Sequence, residues 1–277
     1  VTLNYDNHNP CVILTRPVEQ SAWLSDALQG YGINVLTFPL LDIVPHTEKG
    51  LLTLLDNTFS DLSGYALVIF VSPNAVIYAL RRFRYPWPEH VAIAVVGPGS
   101  AAALANAGIA PPRYRVIMPP NGPQARFDSE ALLVQLNLSS LAGRRVLLVR
   151  GDGGRELLSN TLRENGVQLD IVSVYKRQTP LIDDACWEKM EDMVMRSMPC
   201  AWVLTSSEAI KHLVALISSR CSVIMRARIY KSLCFTSHAR IADIARDAGF
   251  NRIKQYSVGD EKLFKALKSW AESIQIK

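Results

Sequence analysis

No apolar run in this chain of 277 residues approaches the roughly 18 consecutive apolar residues of a membrane-spanning helix, so no transmembrane segment is expected. The opening VTLNYDNHNP lacks the layout of a secretory signal, and the five cysteines (Cys11, Cys186, Cys200, Cys221, Cys234) include no C-x-x-C pair. Both absences predict reduced thiols and a cytoplasmic protein. The formal charge is +5, yet lysine and arginine are scattered, with RRFR at 81–84 the densest cluster and no basic tail. That balance favours an anionic partner without signalling nucleic acid. His238 is the one histidine in a turn of interest, and no second ligand stands at metal spacing from it.

Two nucleotide signatures are missing where one is most expected. RGDGGREL, from Arg150, brings three glycines between an apolar strand and an amphipathic helix. G-x-G-x-x-G fails because Glu156 stands three residues after Gly153, and a P-loop fails because Gly154-Arg155-Glu156 replaces Gly-Lys-Ser/Thr. TSSEA at 205–209 likewise lacks the G-x-S-x-G elbow of a hydrolase. A dinucleotide-dependent oxidoreductase is therefore disfavoured.

What is present is ample apolar material, 49% of residues, arranged as short apolar runs alternating with helical patterns that end in glycine. This predicts an α/β fold of parallel sheets flanked by helices. The halves also match each other. VILTRPVEQSAWLSDALQGYGINVLTFPLL parallels VLLVRGDGGRELLSNTLRENGVQLDIVSVY, and VIFVSPNAVIYAL parallels WVLTSSEAIKHLV. Arg16 pairs with Arg150 and Ser72 with Ser206 at the same separation. A third pair, AVVGPGSAAALANAGI and LCFTSHARIADIARDAGF, repeats strand, polar turn and helix. The expectation is two copies of one α/β unit.

Open parallel sheets bind ligands at the turns following their strands, and helix N-termini there suit carboxylates. The turns TRP, VSPN, VGPGS, VRGDGGR, TSSE and TSHAR supply Arg16, Ser72, Asn74, Gly97, Ser100, Arg150, Gly151, Gly153, Arg155, Ser206, Ser207 and Ser237 as candidate contacts. Each has a plainer reading. The serines serve as helix caps, Arg16 as a solvated charge, and Arg81, Arg82 and Arg84 as partners of a helix C-terminus.

The ordered series LTRP, FVSPNAV, VVGPGSAAAL, VLLVRGDGGRELL, VSVYKRQTP, VLTSSEAI and AGF resembles the uroporphyrinogen-III synthase family over nearly the whole chain. The resemblance implies two domains, residues 1–40 with 178–277 and residues 41–177, joined by a two-stranded linker. It implies a cofactor-free and metal-free lyase, acting as a monomer. That enzyme closes linear hydroxymethylbilane to uroporphyrinogen III, losing water and inverting the terminal pyrrole, in haem biosynthesis. Transient contact with the enzyme that makes the bilane is the one protein partnership implied, with neither membrane nor nucleic acid. It makes Tyr175, in VYKR, the candidate general acid, and turns the glycine loop into a cradle for substrate carboxylates. The rival reading is a bilobal small-anion binding protein without catalysis, and Tyr175 also reads as an ordinary strand-end tyrosine.

Overall fold

The computed structural model describes residues 9–122, 125–196, 199–257 and 259–275. Strand and helix alternate from the start: β1 (Cys11–Leu14), α1 (Val18–Gly30), β2 (Asn34–Thr37), β3 (Asp42–Pro45) and α2 (Lys49–Ser60). The chain continues with β4 (Leu67–Phe70), α3 (Pro73–Leu80), β5 (Ala92–Val95), α4 (Pro98–Asn106) and β6 (Val116–Ile117). Helices α5 (Ser129–Gln135) and α6 (Leu138–Leu141) precede β7 (Arg145–Gly151), α7 (Leu157–Glu164) and β8 (Gln168–Gln178). Then come α8 (Asp184–Met195), β9 (Cys200–Val203), α9 (Ser207–Arg220), α10 (Val223–Lys231), β10 (Leu233–Thr236), α11 (Ala239–Asp247), β11 (Arg252–Gln255) and α12 (Asp260–Gln275).

The chain divides into two compact units, one of residues 1–42 and 178–277, the other of residues 43–177. The first unit holds the sheet β2-β1-β9-β10-β11, parallel throughout. The second holds β8-β7-β4-β5-β6, also parallel, with β3 added beside β8. The two orders correspond strand for strand. The β1-α1-β2 segment of the first repeat pairs with β9 of the second, and β7-α7-β8 of the second pairs with β4 of the first. The discontinuous first domain implied by the family resemblance has this basis: each leading βαβ joins the three later strands of the other copy. The chain passes between units at Asp42–Ile43 and again at Arg177–Gln178, in the neighbouring strands β3 and β8.

Both faces of each sheet are covered, which is why the strands read as unbroken apolar runs rather than alternating ones. In the first sheet Ile13, Trp202 and Cys234 pack toward α8, α9 and α11, while Val12, Val203 and Phe235 pack against α1 and α12. In the second, Val68, Phe70, Leu147 and Val149 meet α2, α3 and α4, and Ile69, Val146 and Leu148 meet α5 and α7. All five cysteines are free thiols. No described helix is long and apolar enough to cross a membrane.

Helix ends follow the repeat as well. Gly32 and Gly166, at matching positions, adopt φ of 78° and 75°, the left-handed conformation that glycine enters without a Cβ penalty. The amide just beyond each glycine then returns into the helix's last turn, Ile33 N–H to Leu28 O at 3.0 Å and Val167 N–H to Leu162 O at 3.1 Å.

Candidate active site

The strand order of the second unit reverses direction between β7 and β4, the kind of switch point where open α/β sheets take ligands. A hollow of about 190 Å³ opens there, lined by Ser72 after β4, by Ser129, by Arg150 and Gly151 at the end of β7, by Gly153, Gly154 and Arg155 after it, and by Tyr175 and Arg177 on β8. Six residues singled out by the sequence meet in one place: Ser72, Arg150, Gly151, Gly153, Arg155 and Tyr175.

Tyr175 reaches this hollow through an irregularity in β8. Arg150 pairs with Ser173 but Gly151 pairs with Tyr175, so the register slips by one residue. A bulge of this kind re-aims the side chains beyond it. Val172, Val174 and Tyr175 all enter the same core cluster, which strict alternation would forbid. The tyrosine is 1% exposed. Its ring lies 5.6 Å from that of Tyr78, with the Arg177 guanidinium 5.6 Å from its centroid. The hydroxyl stands 3.3 Å from Ser72 Oγ and accepts from Arg177 Nη2 at 3.3 Å.

Gly151 makes this placement feasible. A Cβ on that residue would lie 2.4 Å from both Cε2 and Cζ of Tyr175. Gly153 and Gly154 have a different reason, since their φ values of 67° and 119° belong to backbone that side-chain-bearing residues rarely adopt. The three glycines are therefore accounted for by one close approach and one reversal.

Arg150 donates through Nη2 to Glu156 Oε1 at 3.0 Å, while its buried Nη1 has no partner among the described residues. Glu156 in turn accepts from Ser159 Oγ at 2.7 Å. Ser159 first, then Arg150, holds the Glu156 carboxyl below the usual range. One carboxylate thus fixes half of the guanidinium and leaves the other half to face something else. Arg155 is more exposed and donates to Glu130 at 2.9 Å.

The matching turn of the first unit repeats the pattern. Arg16 Nη1 donates to Asp260 Oδ1 at 2.7 Å, with Nε and Nη2 buried and unpartnered among the described residues. Ser207 Oγ and Thr236 Oγ1 are also buried without partners there. Nearby Tyr256 has its phenol pushed up to about 12, by burial above all, with Asp260 adding to it and Arg16 opposing.

Other expectations land differently. Ser72 and Ser206 cap α3 and α9, accepting from Ala75 N–H and from the Glu208 and Ala209 amides. Ser100 and Ser237 are not at the capping positions, which are Gly97 and His238, leaving Ser100 inside α4 and Ser237 two residues before α11. Asn74 lies in the first turn of α3. Asn74, Gly97 and Ser100 are not among the described lining residues of the hollow. Gly97 packs instead on Phe127, 2.9 Å from where its Cβ would be. Arg81 and Arg82 are structural, one over the Tyr78 ring and the other on Asp56. Asp152, in the glycine loop, faces His46. Arg177, His46 and Ser129 were missed. Arg177 had a legible signal, standing two residues from Tyr175 on the same strand.

The uroporphyrinogen-III synthase HemD family model matches residues 23–258. The chain belongs to the uroporphyrinogen-III synthase family. Its fold and its place in tetrapyrrole biosynthesis are those of that family. The Salmonella typhimurium uroporphyrinogen-III synthase is 31% identical over 262 residues, covering 92% of this chain and 99% of that protein. The Escherichia coli uroporphyrinogen-III synthase is 28% identical over 266 residues, with the same coverage. Crystal structures of uroporphyrinogen III synthases share the fold. A mutant from the extremely thermophilic bacterium Thermus thermophilus gives a TM-score of 0.58 at 16% identity, covering 96% of this chain and 99% of that one. The Helicobacter pylori structure gives 0.58 at 12%, covering 94% and 98%.

Proposed function

We propose that this uroporphyrinogen-III synthase family member is a cofactor-independent lyase that closes hydroxymethylbilane to uroporphyrinogen III with loss of water, and that Tyr175 is its general acid. The observation that carries the reading is the phenol in the hollow of the second unit, its oxygen set between Ser72 Oγ and Arg177 Nη2.

The chemistry asks for little else. The pyrrole nitrogen pushes out the hydroxymethyl oxygen to leave an electron-poor azafulvene, and a donated proton turns that oxygen into water. A phenol is protonated at neutral pH. The phenolate left behind receives a charge-assisted bond from Arg177 and a hydroxyl bond from Ser72. The substituted carbon of the terminal pyrrole then attacks, and the resulting spiro species fragments and recloses with that ring inverted.

Every pyrrole of the bilane carries acetate and propionate. The unpartnered Nη1 of Arg150, the more exposed Arg155 and the first-turn amides of α7 are donors suited to carboxylates. Gly153 brings backbone close to such a group. At about 190 Å³ the hollow is smaller than the roughly 300–1,000 Å³ of drug-sized ligand sites, which fits one pyrrole with its acids rather than four. Arg16, Ser206, Ser207 and Ser237 form a second carboxylate-binding set on the first unit, and the N-termini of α3 and α4 contribute Asn74, Gly97 and Ser100. Holding the chain curled supplies much of the rate. Free thiols throughout suit a reducing compartment such as the cytoplasm.

The test is incubation with hydroxymethylbilane followed by chromatographic separation of the isomers. The type III isomer is expected; type I alone, the product of simple head-to-tail closure, overturns the proposal.

A further inference from the structure

His46, just past β3, is a buried histidine that the mechanism above does not use; its side chain is 3% exposed. Its Nε2 lies 2.9 Å from Ser173 Oγ and 3.4 Å from Asp152 Oδ1, and its Nδ1 lies 3.7 Å from Glu48 Oε2. The Ser173 hydroxyl donates to the carbonyl of Tyr175 at 3.1 Å. With that proton committed, Ser173 Oγ is left to accept, so Nε2 of His46 carries the hydrogen. The Asp152 amide donates to the same Tyr175 carbonyl at 2.9 Å. One imidazole therefore joins the strand residue two places before Tyr175 to the loop residue next to Gly151. Glu48 closes the other side, accepting from its neighbour Thr47 N–H at 3.0 Å and from Lys176 Nζ at 3.1 Å.

The loop has reason to need such an anchor. Two consecutive glycines with positive φ, Gly153 and Gly154, give it more conformations to lose than other residues would. Its first residue must also stay pressed against the Tyr175 ring. His46 is buried with its Nε2 on Ser173 Oγ and beside the half-exposed Asp152 carboxylate, and a buried side chain held by polar partners restrains what it joins and loses that effect when it is removed.

We propose that His46 is a positioning residue for the cyclisation: it clamps the Gly151–Asp152 end of the loop onto β8, so that the Tyr175 hydroxyl is held toward Ser72 and Arg177. The proposal rests on the reading of Tyr175 as the acid. His46 is not among the described lining residues of the hollow, so it acts through its neighbours.

The test uses the full chain with His46→Leu, which keeps bulk and removes both nitrogens, and His46→Gln, which keeps a donor. Amide exchange at Asp152 reads the clamp without reference to activity. In His46→Leu it accelerates by about tenfold or more, the consequence of losing buried hydrogen bonds, while amides of β5 keep their rates. The turnover number kcat for hydroxymethylbilane falls by a similar factor with KM little changed, and His46→Gln recovers most of both. Unchanged exchange at Asp152, equal acceleration across the second unit, or a loss confined to KM overturns the proposal. Tyr175→Phe, assayed alongside, separates the two ideas. If it is inactive while His46→Leu is normal, only the clamp fails; if it is fully active, the acid assignment fails and the positioning role falls with it. Should His46→Leu not fold, Ser173→Ala removes the other leg of the same clamp, and unchanged Asp152 exchange there overturns the proposal equally.

Discussion

Replacing Gly151 by alanine puts a methyl carbon 2.4 Å from two ring carbons of Tyr175. No pair of non-bonded carbons tolerates that distance, so the ring or the loop must move. The ring has little room, since Tyr78 and Arg177 stand against it and its backbone carbonyl holds the Asp152 amide. Overpacking of a buried site costs about 1–3 kcal/mol, and swinging the ring away breaks the contact with Ser72, worth about 0.5–1.5 kcal/mol. Gly151→Ala should therefore lower unfolding free energy by roughly 1.5–4.5 kcal/mol, and activity should fall with it because the hydroxyl is displaced. A double-mutant cycle isolates the cause. In a Tyr175→Leu background the alanine should cost at most about 1 kcal/mol, since the ring it collides with has gone. Urea denaturation of the four proteins measures this. Equal cost in both backgrounds, or a fully stable and active Gly151→Ala protein, would refute the steric account of the glycine.

Arg150→Ala should weaken product binding by about 1.5–3 kcal/mol, the range for hydrogen bonds to charged groups, whereas Arg155→Ala, more exposed and paired with Glu130, should cost less; calorimetric titration that reverses the ranking removes Arg150 from the site. Glu156→Gln keeps a partner for Arg150 but drops the charge, so product affinity should change by no more than about threefold if Glu156 only orients the guanidinium. Tyr65 donates to Asp170 at 2.7 Å, and burial first, then Asp170, pushes its phenol up to about 12. The neutral phenol is the form the fold favours, so its contribution to stability is complete below about pH 10 and is lost as pH rises toward 12. Denaturation midpoints should fall over that window, and Tyr65→Phe should flatten the fall; an unchanged slope contradicts the assignment.

The parts of this molecule that repeat were the parts that could be read. Apolar runs covered on both faces, helix-ending glycines and matched turns announce two α/β sheets. The exchange of leading βαβ segments was implied by the family resemblance; the repeat alone leaves it open, because which strands each segment pairs with is decided by tertiary packing, not by local pattern. Arg150 and Ser72 were legible because they stand at the carboxyl ends of parallel strands, where open α/β sheets take ligands. Tyr175 was legible only through family resemblance, since a bulge sets its direction and alternation alone gives the wrong partners. His46 left no local trace: its role depends on Ser173 and Asp152, more than a hundred residues away in sequence. The plain capping reading fails for Ser100 and Ser237, because the capping position falls on Gly97, three residues before Ser100, and on His238, next to Ser237.

The central claim is that the Tyr175 hydroxyl protonates the departing oxygen, and single-turnover kinetics of Tyr175→Phe test it most directly. The substitution keeps the ring against Gly151 and removes one oxygen. The account predicts a rate of bilane consumption lower by roughly 10²-fold or more, with product affinity close to that of the unmodified protein and unfolding free energy lower by about 0.5–1.5 kcal/mol, the worth of the lost Ser72 contact. A Phe variant that consumes the bilane at the full rate, with its type III to type I ratio unaltered, contradicts it.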